Sequence, residues 1–204
     1  MRFNLSSTAL SSRLLTLSRV INSKNSLPIL DCFLFEVRDG QLTITASDSE
    51  NVMRGTLNLE SCEGEGNFAV NNHTILDAVK ELPEQPLTLD VNLDEMKIYV
   101  TYQNGSYNFP ILGADEYPKA QSVSDNATTI TLQAEKLSDS LTRSLFATAQ
   151  DELRPVMNGI YFDLKEDGLA IVASDGHKLV RNRNFSVKSE TPAAFVLPKK
   201  PATL

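Results

Sequence analysis

Two kinds of apolar period alternate along this chain. Leu10, Leu14, Leu17 and Ile21 recur at helical spacing, which predicts a helix over 7–22 with one apolar stripe. Phe33, Phe35 and Val37 then alternate with polar neighbours, and Leu42, Ile44 and Ala46 do the same after Asp39-Gly40, the signature of a hairpin of half-buried strands. A third strand follows over 52–59, an acidic, glycine-containing loop over 60–67, and a strand at Phe68–Val70. Asn71 or Asn72 can cap a second helix, whose Ile75, Val79 and Leu82 face inward before Pro83 halts it. Strands are predicted at 87–91, 97–102 and 107–112, the last two joined at Asn104-Gly105, and a short one at Phe3–Leu5 opens the chain. Residues 113–127, with Pro118 and a tail of Ser, Asp and Asn, read as a linker.

The same pattern is then written again. Leu27–Arg54 and Arg154–Arg181 align without a gap at a constant offset of 127 residues, with Pro28 on Pro155 and Asp48 on Asp175. The register extends outward: Phe3–Leu5 falls on Ile130–Leu132, Leu10 and Leu14 on Leu137 and Leu141, and Phe68–Val70 on Phe195–Leu197. Chance segments do not hold register over such a span, so the chain reads as two copies of one domain, 1–120 and 121–204, the second incomplete. Its helix, over 135–148, carries Leu137, Leu141 and Leu145 inward. Strands with Ile160, Phe162 and Leu164, then Leu169, Ile171 and Ala173, follow, and Pro198-Lys199-Lys200-Pro201 stands where the first copy enters its second helix. Helices segregated from many strands define an α+β class, with antiparallel sheets covered on one face by helices.

Charge changes the picture. The chain of 204 residues carries a net −7, which argues against a polyanionic partner. Its distribution argues otherwise: residues 1–26 hold four basic side chains and no acid, 27–126 hold five basic and seventeen acidic, and 127–204 hold ten and nine. A polyanion meets the local field rather than the total. Arg13 and Arg19 on the first helix, with Thr8 and Ser12 around them, form a face without carboxylates; Lys136 and Arg143 lie away from the stripe of the second copy's helix. No apolar run reaches the ~20 residues of a membrane span and no signal pattern opens the chain, so a cytoplasmic protein without membrane partners is expected. Cys32 and Cys62 have no metal-ligand spacing, and neither a disulfide, a metal nor a cofactor is expected.

Catalytic constellations are sparse. There is no glycine-rich phosphate loop, and the two histidines, His73 and His177, are far apart in sequence. Ser174-Asp175-Gly176-His177 is the nearest candidate, yet Asp-Gly after an alternating strand is turn chemistry, and the first copy keeps Ser47-Asp48 with Ser49-Glu50 in place of Gly176-His177. The aspartate therefore reads as structural, and Gly-His-Lys-Leu as a binding surface special to the second copy. A metal-dependent hydrolase built on Asp48, Glu50, Asp175 and His177 is the enzymatic alternative, and a peptide-binding module that encircles nothing is the non-enzymatic one.

LPILDCFLFEV paired with MNGIYFDL, followed by ASDGHKLV and FVLPKK, closely resembles the bacterial DNA polymerase III beta subunits, the family of replicative sliding clamps. The resemblance covers essentially the whole chain and implies the DNA clamp fold. In that fold, three such domains per chain close head to tail as a homodimeric ring, helices inside and sheets outside. It implies a non-catalytic processivity factor that surrounds double-stranded DNA and takes short linear motifs from the replicative polymerase, the clamp loader and repair proteins. On this chain it implies DNA contacts at Lys24, His73, Gln150, Arg154, Lys199 and Lys200, besides the helical Arg13, Arg19, Lys136 and Arg143. It also implies a peptide pocket at Met157, Ser174, Gly176, His177, Lys178 and Leu179. The pattern departs from some members at Pro155 and Val156, where they carry aromatic residues.

Overall fold

Ser6 opens the first helix by accepting the Ala9 amide on its hydroxyl, and α1 (Ser7–Ser18) buries Leu10, Leu14 and Leu17. The helix ends four residues before the predicted boundary. The Val20 and Ile21 amides bond back to Leu17 and Ser18, three residues earlier, so the last turn tightens and Val20 takes the buried place expected of Ile21. The structure is a computed structural model and describes residues 1–119, 123–124, 127–150 and 153–204. The chain divides into two compact units, Met1–Gln121 and Ser122–Leu204.

In the first unit, β1 (Arg2–Ser6) and α1 are followed by a 3-10 turn at Pro28–Asp31, then β2 (Cys32–Arg38), β3 (Gln41–Ser47), β4 (Val52–Asn58), β5 (Ser61–Glu63) and β6 (Gly66–Asn71). Next come α2 (Asn72–Val79), β7 (Pro86–Asn92), β8 (Lys97–Tyr102) and β9 (Gly105–Pro110). The strands make two antiparallel sheets, ordered β5-β1-β7-β8-β9 and β4-β3-β2-β6. Asp39 and Gly40, at φ 50° and 72°, form the predicted tight turn between β2 and β3. The β8–β9 turn shifts by one residue: Tyr102 pairs Gly105, so Gln103-Asn104 turns and Gly105 enters the strand. The Gln103 amide donates to Gln85 Oε1, which pins that register.

Two segments read as loop or linker are structured. Ser61–Glu63 pairs with β1, and its acidic composition, which hid it, suits a solvated edge strand. Tyr117 is buried against Ile29, Leu30, Cys32 and Ala69 on the far face of β2, where its hydroxyl reaches the carbonyls of Cys32 and Thr45 at 3.4 Å. Burial also pushes the Cys32 thiol up to about 11, which keeps it an inert apolar residue. The remainder of the predicted linker includes residues outside those described.

The second unit repeats half of this plan. α3 (Ala134–Leu145), a 3-10 turn at Pro155–Met157, β10 (Gly159–Lys165), β11 (Gly168–Ser174), β12 (Leu179–Asn184), β13 (Ala193–Pro198) and α4 (Lys199–Thr203) build one sheet, β12-β11-β10-β13. It matches β4-β3-β2-β6 strand for strand, and even the facing aromatics correspond: Phe35 pairs Phe68, and Phe162 pairs Phe195. Leu137, Leu141 and Leu145 pack on a core of Ile160, Phe162, Leu164, Leu169 and Ile171. Residues 130–132 form no strand. Ile130 and Leu132 pack against the core instead.

Candidate functional site

The turn after the second strand of each copy is built the same way. Ser47 Oγ accepts the Ser49 amide, and Asp48 Oδ1 accepts those of Glu50 and Asn51 at 3.0 and 2.6 Å. In the second unit Ser174 Oγ accepts the Gly176 amide, and Asp175 Oδ1 accepts those of His177 and Lys178, both at 2.9 Å. One oxygen of each aspartate accepts two backbone amides, which is turn chemistry. The third residue has positive φ in both, 81° at Ser49 and 91° at Gly176. What differs is the rim. Lys178 Nζ lies 2.6 Å from Asp175 Oδ2, where the first copy has the Asn51 amide. That ammonium, with the Lys178 and His177 amides, holds the Asp175 carboxyl well below the usual carboxylate range.

Beside the second turn lies a cavity of about 350 Å³. Gln150, Arg154 and Lys199, expected at DNA, share its wall with His177 and Lys178, expected at a peptide. Two residues of the 150–154 loop, 151 and 152, lie outside those described. Met157, Ser174, Gly176 and Leu179 are not part of that wall. Met157 is half-buried in the 3-10 turn, its carbonyl accepting the Ala149 amide at 2.9 Å. Ser174 serves the turn, and Gly176 underlies the Arg154 guanidinium, whose terminal nitrogen would stand 3.2 Å from an added Cβ. Leu179 is 67% exposed at the start of β12. Phe146, also in the cavity wall, was not singled out from sequence, although it is an apolar residue off the Leu137–Leu145 stripe and is 63% exposed. Leu153 and Val156 are exposed nearby in sequence.

The remaining expected cations sit on the helices or in the loop after α1. α1 packs on α2, and α3 on α4. Arg19 is the exposed C-cap residue of α1, Lys24 is exposed in the loop beyond, and His73 is exposed in the first turn of α2. Arg13 is half-buried, its stem crossing β4. Lys136 and Arg143 are exposed on α3; Arg143 lies 3.7 Å from Asp139, an open pair worth little. Both line a second cavity of about 340 Å³ with Arg183 and Phe185, whose cation–π contact at 4.9 Å was not anticipated because the strand alternation gave no reason to separate them from other edge residues. Lys199 and Lys200 begin α4, half-buried. Among the described residues no group of three or more His, Cys, Asp or Glu is placed to hold a metal ion, and no helix is long and apolar enough to cross a membrane.

A helix pair on antiparallel sheets, two sheets in the first unit and one in the second, is the α+β plan of the DNA clamp fold. The chain belongs to the DNA polymerase III beta subunit family: residues 1–121 match its N-terminal domain and residues 131–203 its central domain. It is 27% identical over 201 residues to the beta sliding clamp of Pseudomonas putida, covering 98% of this chain and 54% of that protein. The Staphylococcus aureus beta sliding clamp is 27% identical over 196 residues, covering 91% and 51%. Among solved structures, the DNA polymerase III beta subunit of Thermotoga maritima superposes with a TM-score of 0.85 at 27% identity, covering 99% of this chain and 54% of that one. The Helicobacter pylori beta clamp bound to a DNA ligase peptide gives 0.89 at 21%, covering 100% and 57%, a likeness of fold. The chain thus spans about half the length of the relatives it matches.

Proposed function

We propose that the full-length protein is a DNA polymerase processivity factor, two copies closing head to tail into a ring around duplex DNA. The observation that carries this reading, within a family of sliding clamps, is the segregation of charge: α1 and its following loop bring Arg13, Arg19 and Lys24 with no acid over residues 1–26, on a protein of net −7. A closed ring converts dissociation into sliding, because neither partner leaves without opening. Few contacts are needed for that, and phosphate contacts without base readout suit movement along any sequence. On the second unit, Lys136, Arg143, Arg154, Lys199 and Lys200 would supply further phosphate contacts, and Gln150 there and His73 on the first unit polar ones. The protein needs no catalytic residue and no cofactor for this work, and its place is the cytoplasm.

The second-unit cavity supports a companion role, the tethering of partner proteins through short linear motifs. Exposed Phe146 and Leu179 offer apolar anchors beside His177 and Lys178, with Ser174 and Gly176 in the turn itself and Met157 in the 3-10 turn that follows Arg154. The H. pylori clamp, of the same fold, was crystallised with such a peptide.

The experiment is retention of the loaded full-length protein on DNA. Long residence on a nicked circle with rapid loss from a linear duplex is expected. Equal residence on both overturns the ring and leaves the peptide-binding module. A large divalent-metal-dependent rise in melting temperature would favour the hydrolase.

A further inference from the structure

Gly55 sits in the middle of β4 with no positive φ to require a glycine, in a place where glycine weakens a strand. Space explains it. A Cβ at residue 55 would collide with Arg13 Cδ and stand 3.1 Å from Arg13 Nε and 3.3 Å from its Cγ. The arginine stem therefore lies flat across the strand. Its Nε is buried without a hydrogen-bond partner, and no carboxylate holds the guanidinium among the described residues.

The second copy makes the same helix-on-edge-strand contact with the bulk exchanged. At the offset of 127, Ser140 replaces Arg13 and Asn182 replaces Gly55, and Asn182 Nδ2 donates at 2.9 Å to Oγ of Ser144, the counterpart of Leu17 one turn along the helix from Ser140. Large on the helix goes with small on the strand, and the reverse, within one chain. The first copy thus accepts both a mid-strand glycine and a desolvated donor, and the common result is a fixed, unneutralised guanidinium.

We infer that Gly55 is a positioning residue for Arg13, seating its side chain on β4 so that a DNA phosphate meets a guanidinium whose rotamers are already restricted. This rests on the reading of α1 as DNA-facing. A side chain ordered before binding loses less entropy on contact, so the seat strengthens the contact without touching DNA itself.

The test is a double-variant cycle in the full-length protein, using Arg13→Ser, Gly55→Asn and the pair together, which copies the second unit, with Gly55→Ala as a milder variant. Two quantities are read: binding of a fluorescent duplex across a range of salt, and melting temperature. Each single variant is expected to weaken binding by up to about tenfold and to flatten the salt dependence by about one phosphate contact. The pair is expected to bind no worse than Arg13→Ser alone and to melt above Gly55→Asn alone. If Gly55→Ala leaves the salt dependence unchanged while Arg13→Ser flattens it, or if the melting shifts simply add, Gly55 positions nothing and the proposal is overturned while the DNA-facing reading stands. If Arg13→Ser changes neither affinity nor salt dependence, yet the melting shifts are coupled, the DNA-facing reading of Arg13 falls and takes the proposal with it.

Discussion

The two copies carry one backbone plan and opposite surfaces. The C-cap residue of the first helix is Arg19 in one unit and Phe146 in the other, both exposed. The turn after the second strand of the sheet reads Asp-Ser-Glu-Asn in the first and Asp-Gly-His-Lys in the second, on matching serine and aspartate hydrogen bonds. A cation at a helix C-terminus suits the helix dipole and attracts phosphate; a bare phenylalanine there does neither and offers an anchor to an apolar side chain. The difference teaches that the duplicated hydrogen bonds hold the frame while the rim residues diverge toward different partners. Burial diverges as well. Phe68 is 0% exposed and Phe195, its counterpart, 43%.

That last contrast gives the largest effect. Phe68→Ala removes a fully buried ring that sits 5.2 Å from Phe35, and a loss of about 3–5 kcal/mol is expected. Phe195→Ala removes a half-covered ring stacked at 5.0 Å on Phe162 and is expected to cost about 1–2 kcal/mol in the 204-residue chain. Urea unfolding, followed in each unit by hydrogen exchange, measures both. Equal costs would mean that burial does not separate the copies.

Next is the start of the second helix in each unit. Asn72 is buried and its Nδ2 donates to the Asp31 carbonyl at 2.6 Å, tying α2 to the 3-10 turn. The second copy has Lys199 there and makes the tie with backbone alone, Lys199 N–H to the Asn158 carbonyl at 3.3 Å. Asn72→Ala is therefore expected to destabilise by about 1–3 kcal/mol, because it removes the side-chain donor from a part-buried carbonyl, whereas Lys199→Ala should stay within about 0.5 kcal/mol. Denaturant midpoints of the two variants decide it.

Much of this was legible in the sequence because apolar periods and a constant offset are properties of residue type. The strand alternation at Phe33–Val37, the Asp39-Gly40 turn and the Asn71 cap follow from side-chain chemistry within a few residues. The segments that were not legible depend on partners far along the chain. Ser61–Glu63 is a strand only because β1 lies beside it, Tyr117 is core only because the far face of β2 is open to it, and the β8–β9 turn is displaced by the Gln85 side chain. The site divides in the same way. Asp175 announced itself through Asp-Gly and Asp48 through its alignment with it, but the shared wall of Gln150, Arg154, Lys199, His177 and Lys178 is assembled across three separate segments.

The positive-φ position sharpens the comparison of the turns. Ser49 holds φ 81° with a side chain, a conformation that costs an L-residue about 1–2 kcal/mol. Ser49→Gly is expected to gain about 0.5–1 kcal/mol, since glycine's greater freedom when unfolded offsets part of the relief. Gly176→Ser is expected to lose about 1–2 kcal/mol and to push aside the Arg154 guanidinium, 3.2 Å from the new Cβ. If both substitutions destabilise, the two turns are not equivalent in the way their hydrogen bonds indicate.

The smallest effect is the most specific to charge. Asp175 is held below the ordinary carboxylate range first by the Lys178 ammonium and then by the Lys178 and His177 amides. A carboxylate depressed in the folded state stabilises fully above its unfolded pKa of about 3.9, and that contribution fades as pH falls toward the folded value. The stability difference between the parent chain and Asp175→Asn should therefore be flat above about pH 5 and shrink steadily below about pH 4, and added salt should reduce it because the Lys178 side chain of the pair is half exposed. Paired urea titrations across that interval at low and high salt measure the difference. A gap that widens as pH falls would show that the ammonium is not what lowers this carboxylate, and that the second copy's turn is no more charge-dependent than the first's.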